Sequence, residues 1–123
     1  MASSARLLDD PPLIEVVYAG AVTAETLAEV PAAALALARE HDVWHVLTDC
    51  SEMTSDPSIF SLYDLAALLS QLGVAARYRE AVVLSTTSER DGFEFYENTM
   101  VNRGLEVRCF RDRWDALVWL CAD

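Results

Sequence analysis

The residues most able to do chemistry fall in a few short stretches. Asp49-Cys50-Ser51 sets a thiol between a carboxylate and a hydroxyl, the residue types of a nucleophilic centre. A carboxylate next to a thiol raises its pKa, however, and no histidine is evident as an activating base, so the bland alternative, a structural residue at a strand end, is favoured. Ser85-Thr86-Thr87-Ser88 precedes a helical pattern and could offer hydroxyls and free amides to an anion. Glu89 and Asp91 already fill that helix start with negative charge, and no glycine-rich loop or lysine accompanies it, so ordinary capping is favoured. His41 and His45 have no second histidine or cysteine at ligand spacing, and Cys50, Cys109 and Cys121 form no metal-ligand pattern. The acidic residues are spread over helix starts and solvated faces, and no acid/base pair stands out. The residues therefore predict neither an enzyme nor a metal or cofactor site.

Composition narrows the classes further. The 123 residues suit one domain, and a 53% hydrophobic content can build one continuous core without disulfides or metals. A formal charge of −11 repels phosphate backbones and anionic lipid surfaces, so nucleic acid is not an expected partner. No run of 18 apolar residues occurs, and Met1 to Asp10 lacks the pattern of a signal peptide; together with three cysteines in no disulfide pattern, this predicts a cytoplasmic protein without membrane insertion.

The elements that must position these residues alternate. Leu13 to Ala19 is an apolar, β-branched run broken only by Glu15, and it ends at Gly20, which predicts a strand, with Ala5 to Leu8 as its hairpin partner. Thr23 suits an N-cap, and Leu27, Val30, Ala34 and Leu37 recur at helical spacing, with Pro31 expected to bend the helix. Val43 to Thr48 is apolar enough to be covered on both faces, and it is expected to end in Asp49-Cys50-Ser51. Asp56 and Pro57 open a helix over Ile59 to Leu72 that Gly73 closes. Its apolar face includes Leu65, Leu68 and Leu72 besides the core stripe, wider than one sheet contact needs.

Ala81 to Leu84 is the next strand, and Phe93, Tyr96 and Met100 mark the inner stripe of the helix after it. Leu105 to Phe110 alternates, as suits a strand near an edge, and Trp114, Leu117, Val118 and Cys121 predict the buried stripe of a last helix starting at Asp112. Such an order predicts an α/β domain with a mixed, mostly parallel sheet of four or five strands and four helices. Ligands of such sheets usually meet the carboxyl ends of the strands. The loops to search are therefore 20–23, 49–58, 85–90 and 110–113.

The order of elements resembles the STAS and SpoIIAA-like group over nearly all of Leu13 to Asp123. The chain looks most similar to the divergent STAS/SEC14-like branch, on Gly20, Val46-Leu47-Thr48-Asp49, Asn102-Arg103-Gly104-Leu105, Val107-Arg108-Cys109-Phe110, Ala116-Leu117 and Trp119-Leu120. That resemblance implies a non-catalytic regulatory or protein-interaction module. The alternative it implies is a carrier or sensor of a small apolar, lipid-like ligand, seated between the end of the central strand and the helix 59–72. The docking residues selected on this reading are Asp49, Ser51, Asp56, Ser58, Tyr63, Ser85, Thr86 and Arg111. The expected partners are a second copy of the chain, through the broad leucine face, and an unidentified protein.

In anti-anti-sigma factors of this family a serine at the corresponding helix start is phosphorylated, and the nearest match here is Ser58. The family's Asp-Ser-Ser-Gly pattern is replaced by Ser55-Asp56-Pro57-Ser58, so Ser58 is expected to be an unmodified first-turn residue.

Overall fold

Strand residues with apolar side chains on both parities need cover on both faces, and the fold supplies it unequally. The computed structural model describes residues 3–55, 58–71, 77–85 and 90–122. In chain order these form β1 (Ser4–Asp9), β2 (Pro12–Ala21), α1 (Ala24–His41), β3 (His45–Ser55), α2 (Ile59–Ser70), β4 (Arg79–Val83), α3 (Arg90–Asn102), β5 (Glu106–Phe110) and α4 (Arg113–Leu120). The expected caps and stops at Asp56, Gly73 and Thr86 to Ser88 lie outside the described residues.

The sheet runs β1-β2-β3-β4-β5. β1 is the antiparallel hairpin partner of β2, with Leu8 opposite Leu13, and the remaining neighbours are parallel. Because the strand order advances in one direction through β2, β3, β4 and β5, right-handed crossovers put α1, α2 and α3 on the same face. Ile14, Val16 and Tyr18 of β2, Val46 and Cys50 of β3 and Val82 of β4 point to that face. There they meet Leu27, Val30, Ala34 and Ala38 of α1, Leu62, Ala66 and Leu69 of α2, and Phe93, Tyr96 and Met100 of α3. The opposite parity, Leu13, Leu47, Ala81 and Val83, packs under α4 alone through Ala116 and Leu120.

Local sequence explains most element ends. Thr23 caps α1, its hydroxyl accepting from the Thr26 amide at 3.2 Å, and α1 runs without interruption through the buried Pro31. Asp112 caps α4 by accepting from the Trp114 amide at 2.9 Å. β5 is the sheet edge that its alternation predicts. Glu97 of α3 reaches over it to accept from the Cys109 amide at 3.2 Å, occupying a group that an edge strand would otherwise present.

Two expectations are corrected. β3 does not end at Asp49-Cys50-Ser51 but continues to Ser55, since β2 extends to Ala21 and pairs Ala19 with Glu52, Gly20 with Met53 and Ala21 with Ser55. The register slips twice along this stretch, and Gly20 at φ +70° takes a backbone conformation that residues with a Cβ rarely adopt. The buried stripe of α4 is also not the predicted one. Trp114 is 71% exposed and Val118 and Cys121 face outward, whereas Ala116 and Leu120 are fully buried and Leu117 and Trp119 pack at the flanks. A helix laid closely on a flat sheet selects the small side chain for its contact line, so the larger apolar stripe turns away.

Candidate functional site

The parity of β4 puts one acidic side chain into the core. Ala81 and Val83 face α4, so Glu80 and Val82 face the three-helix side, where Glu80 is only 4% exposed. Three hydroxyls converge on it. Thr48 Oγ1 of β3 donates to Oε2 at 2.5 Å, and Tyr78 Oη and Tyr96 Oη donate to Oε1 at 2.9 and 2.7 Å. Among the described residues no cation pairs with this carboxylate. Burial pushes the Glu80 carboxyl above its ordinary range, and the three hydroxyl donors oppose that shift without cancelling it. Burial and the neighbouring carboxylate push the Tyr78 and Tyr96 phenols well up, so both stay protonated as donors.

Two small cavities flank this cluster, each of about 40 Å³. Tyr18, Thr48, Leu65, Glu80 and Tyr96 line both. The first extends toward Pro31, Ala34, Ala38 and Trp44, the second toward Val22, Leu27, Met53 and Phe93. A cavity needs about 10–15 Å³ to admit a single water, so each lobe accepts only a body of a few heavy atoms. The Tyr18 side chain is 5% exposed and lines both lobes. Outside the second lobe, an open groove of about 230 Å³ runs between α1 and α2 along Ala24, Leu27, Ala28, Asp64, Leu65 and Leu68. Leu27 and Leu65 line groove and lobe alike, so these two leucines separate the core from the surface.

The other sheet face carries a second polar cluster of a different kind. Glu15, buried in β2, accepts from Arg6 Nε at 2.6 Å and from Arg113 Nη2, and Arg113 Nη1 donates to Asp49 Oδ2 at 2.7 Å. Burial alone would raise both carboxyls. Hydrogen bonds and charge from Arg113 and Arg6 at Glu15, and hydrogen bonds from Ser51 together with Arg113 at Asp49, outweigh it and hold both below the ordinary carboxylate range. This cluster ties the first turn of α4 to β2 and β3. A wider open cleft of about 350 Å³ lies at the far end of the molecule, between Pro11, Pro12, Asp42, His45 and Cys121. Its Asp42 is committed to Trp44 Nε1 at 2.9 Å and to Arg77 Nη1 at 2.8 Å.

The docking residues selected from sequence do not form one site. Asp49 and Ser51 lie together on the α4 side, the Ser51 amide donating to Asp49 Oδ1 at 2.9 Å. Ser85 and Arg111 meet at the ends of β4 and β5, where Arg111 Nη1 donates to the Ser85 carbonyl at 2.6 Å. Ser58 is exposed ahead of α2, its carbonyl accepting from the Leu62 amide at 3.1 Å. Tyr63 is exposed on the outer surface, its ring 6.4 Å from that of Phe95 and beneath the Arg103 guanidinium at 5.6 Å. Asp56 and Thr86 lie outside the described residues. Sequence reasoning missed Glu80 and its hydroxyl partners. The available signal was parity, since Glu80 shares a face with Val82 in a strand covered on both sides.

No family model matches the chain, and no curated protein matches it. Among solved structures, an uncharacterized protein of the DUF3478 family from Shewanella loihica PV-4, described as having a SpoIIAA-like fold, is similar at a TM-score of 0.57 and 20% sequence identity. The alignment covers 98% of this chain and 93% of that one. The chain thus has the SpoIIAA-like α/β fold that the sequence resemblance implied, with a five-stranded, mostly parallel sheet and four helices among the described residues.

Proposed function

We propose that this chain is a non-catalytic binding module that holds a small, largely apolar molecule between β3, β4 and the α1–α2 pair. The observation that carries this reading is the Glu80 cluster itself. Tyr18 and a hydroxyl-ringed carboxylate line two apolar lobes, and Leu27 and Leu65 stand between the second lobe and a surface groove. Few polar groups among many apolar ones is the usual make-up of a small-molecule site. The lobes suit a molecule of a few heavy atoms, and any longer tail would follow the groove. Occupancy would press on Leu65 and so shift α2, which supports a sensing role as well as carriage.

Neutral 1-alkanols test the reading. Saturable binding that tightens from 1-propanol to 1-hexanol, followed by calorimetry, is expected, and Leu65→Trp should weaken it about tenfold or more by filling the passage. Alkanols that fail to saturate, or that bind Leu65→Trp equally well, would contradict the pocket.

A second reading, docking of a protein on the outside of α2 and α3, is supported by two large exposed apolar side chains there, Tyr63 and Val101. A second copy of the chain is the simplest such partner. Light scattering at micromolar concentration and moderate salt should then give twice 13.6 kDa. A mass of one chain under those conditions removes self-association from the account.

A further inference from the structure

Resting on the pocket reading, we infer that the molecule held there is a small organic cation, an alkylammonium whose charged head sits at Glu80 and whose apolar body points toward Leu27 and Leu65. The protein treats its buried carboxylates in two ways. Glu15 receives both Arg6 and Arg113, and Asp49 receives Arg113. Glu80, as deeply buried as Glu15, receives hydroxyls and no cation among the described residues. The chain has no lysine, and the arginines nearest in sequence are engaged elsewhere, Arg77 with Asp42 and Trp44, Arg79 with Glu106 and Trp119. A buried carboxylate without a counter-charge is costly, and a bound cation would remove that cost where a neutral molecule would not.

The surroundings fit such a head. An ionised carboxylate offers about four acceptor sites, of which three hydroxyls use three, leaving one for an N–H donor. The Tyr18 hydroxyl can accept another. Tyr18, Tyr78, Tyr96 and Trp44 line the first lobe, and aromatic faces attract desolvated ammonium groups. The approach is acidic as well, with Asp64 on the groove and a formal charge of −11 on the chain, so a cation is drawn in and an anion turned away.

The probes are n-butylammonium, 1-butanol and butyrate, compared by calorimetry at pH 7 and fixed ionic strength. Butylammonium is expected to bind at least about tenfold more tightly than butanol, from a charge-assisted hydrogen bond and cation–π contact that the alcohol lacks. Butyrate should not bind. Glu80→Gln should erase the preference for the amine, so that amine and alcohol bind the variant within about twofold of each other. Tyr18→Phe, which removes only a hydroxyl from a residue lining both lobes, keeps the test open should Glu80→Gln fold poorly, and it should weaken butylammonium about threefold or more. Butanol binding as tightly as the amine, or an amine preference that survives both substitutions, would overturn the cation while leaving the pocket. Absence of binding by both amine and alcohol would overturn the pocket and the cation together.

Discussion

Glu80→Ala should lower the unfolding free energy by about 3 kcal/mol, the largest single effect expected in this protein. Removing the carboxylate strips Thr48, Tyr78 and Tyr96 of their shared acceptor inside the core. An orphaned buried hydroxyl costs about 1–3 kcal/mol. Three would exceed the expected figure, but two effects offset part of it. The buried charge, which has no cation among the described residues, disappears, and water entering the enlarged lobes can satisfy some hydroxyls. Glu80→Gln keeps an acceptor and should cost far less, and it separates charge from hydrogen bonding. The folded carboxyl has a raised pKa, so the native state holds its proton more tightly than the unfolded chain does. Stability from this group therefore falls as pH rises above the ordinary carboxylate value of 4.5 and levels off above the folded pKa. Glu80→Gln abolishes that fall. Denaturant unfolding followed from pH 4.5 to 8 should show the variant gaining on the wild type as pH increases. A difference that is flat across this range would contradict the raised carboxyl.

Arg113→Met should cost about 2–3 kcal/mol near neutral pH. The guanidinium holds two carboxylates that are 4% and 12% exposed, and removing one partner of a buried pair costs about 3–5 kcal/mol. Arg113 itself is 41% exposed, so solvent can reach the vacated position and the smaller figure applies. The pH signature runs opposite to that of Glu80. Glu15 and Asp49 have depressed folded pKa values, so their contribution is complete above their ordinary values of 4.5 and 3.8 and is lost as pH falls through the folded values. The wild type should lose stability in that acid window, and Arg113→Met should lose much less there. Equal acid slopes in the two proteins would show that Arg113 does not hold these carboxylates down.

The fold was legible where one local rule decided the outcome. Thr23 and Asp112 are caps by residue type, and Phe93, Tyr96 and Met100 fall on one helical face, so both features stand as expected. The end of β3 was not legible because Asp49 to Ser55 is largely polar and reads as a loop, whereas its strand character comes from pairing with β2 across 32 or more positions. In α4 two stripes compete, and period alone prefers the larger residues Trp114 and Val118 over Ala116, although close approach to a sheet favours alanine. Glu80 looked like the boundary of the apolar run 81–84. Its role depends on Thr48, 32 positions earlier, and on Tyr96, 16 positions later, a convergence that only the folded chain creates. Among the strand-end residues, Asp49 is bound to Arg113 and to the Ser51 amide and does not line the cavities beside Glu80.

The pocket is tested most directly by isotope-filtered NMR on the ¹³C-labelled protein with unlabelled 1-butanol at saturating concentration. Nuclear Overhauser contacts are predicted from the alkyl chain to the methyl groups of Leu27 and Leu65 and to the rings of Tyr18 and Tyr96. Contacts confined to Tyr63 and Val101 on the outer surface of α2 and α3, or none at all, would contradict a ligand site in the core.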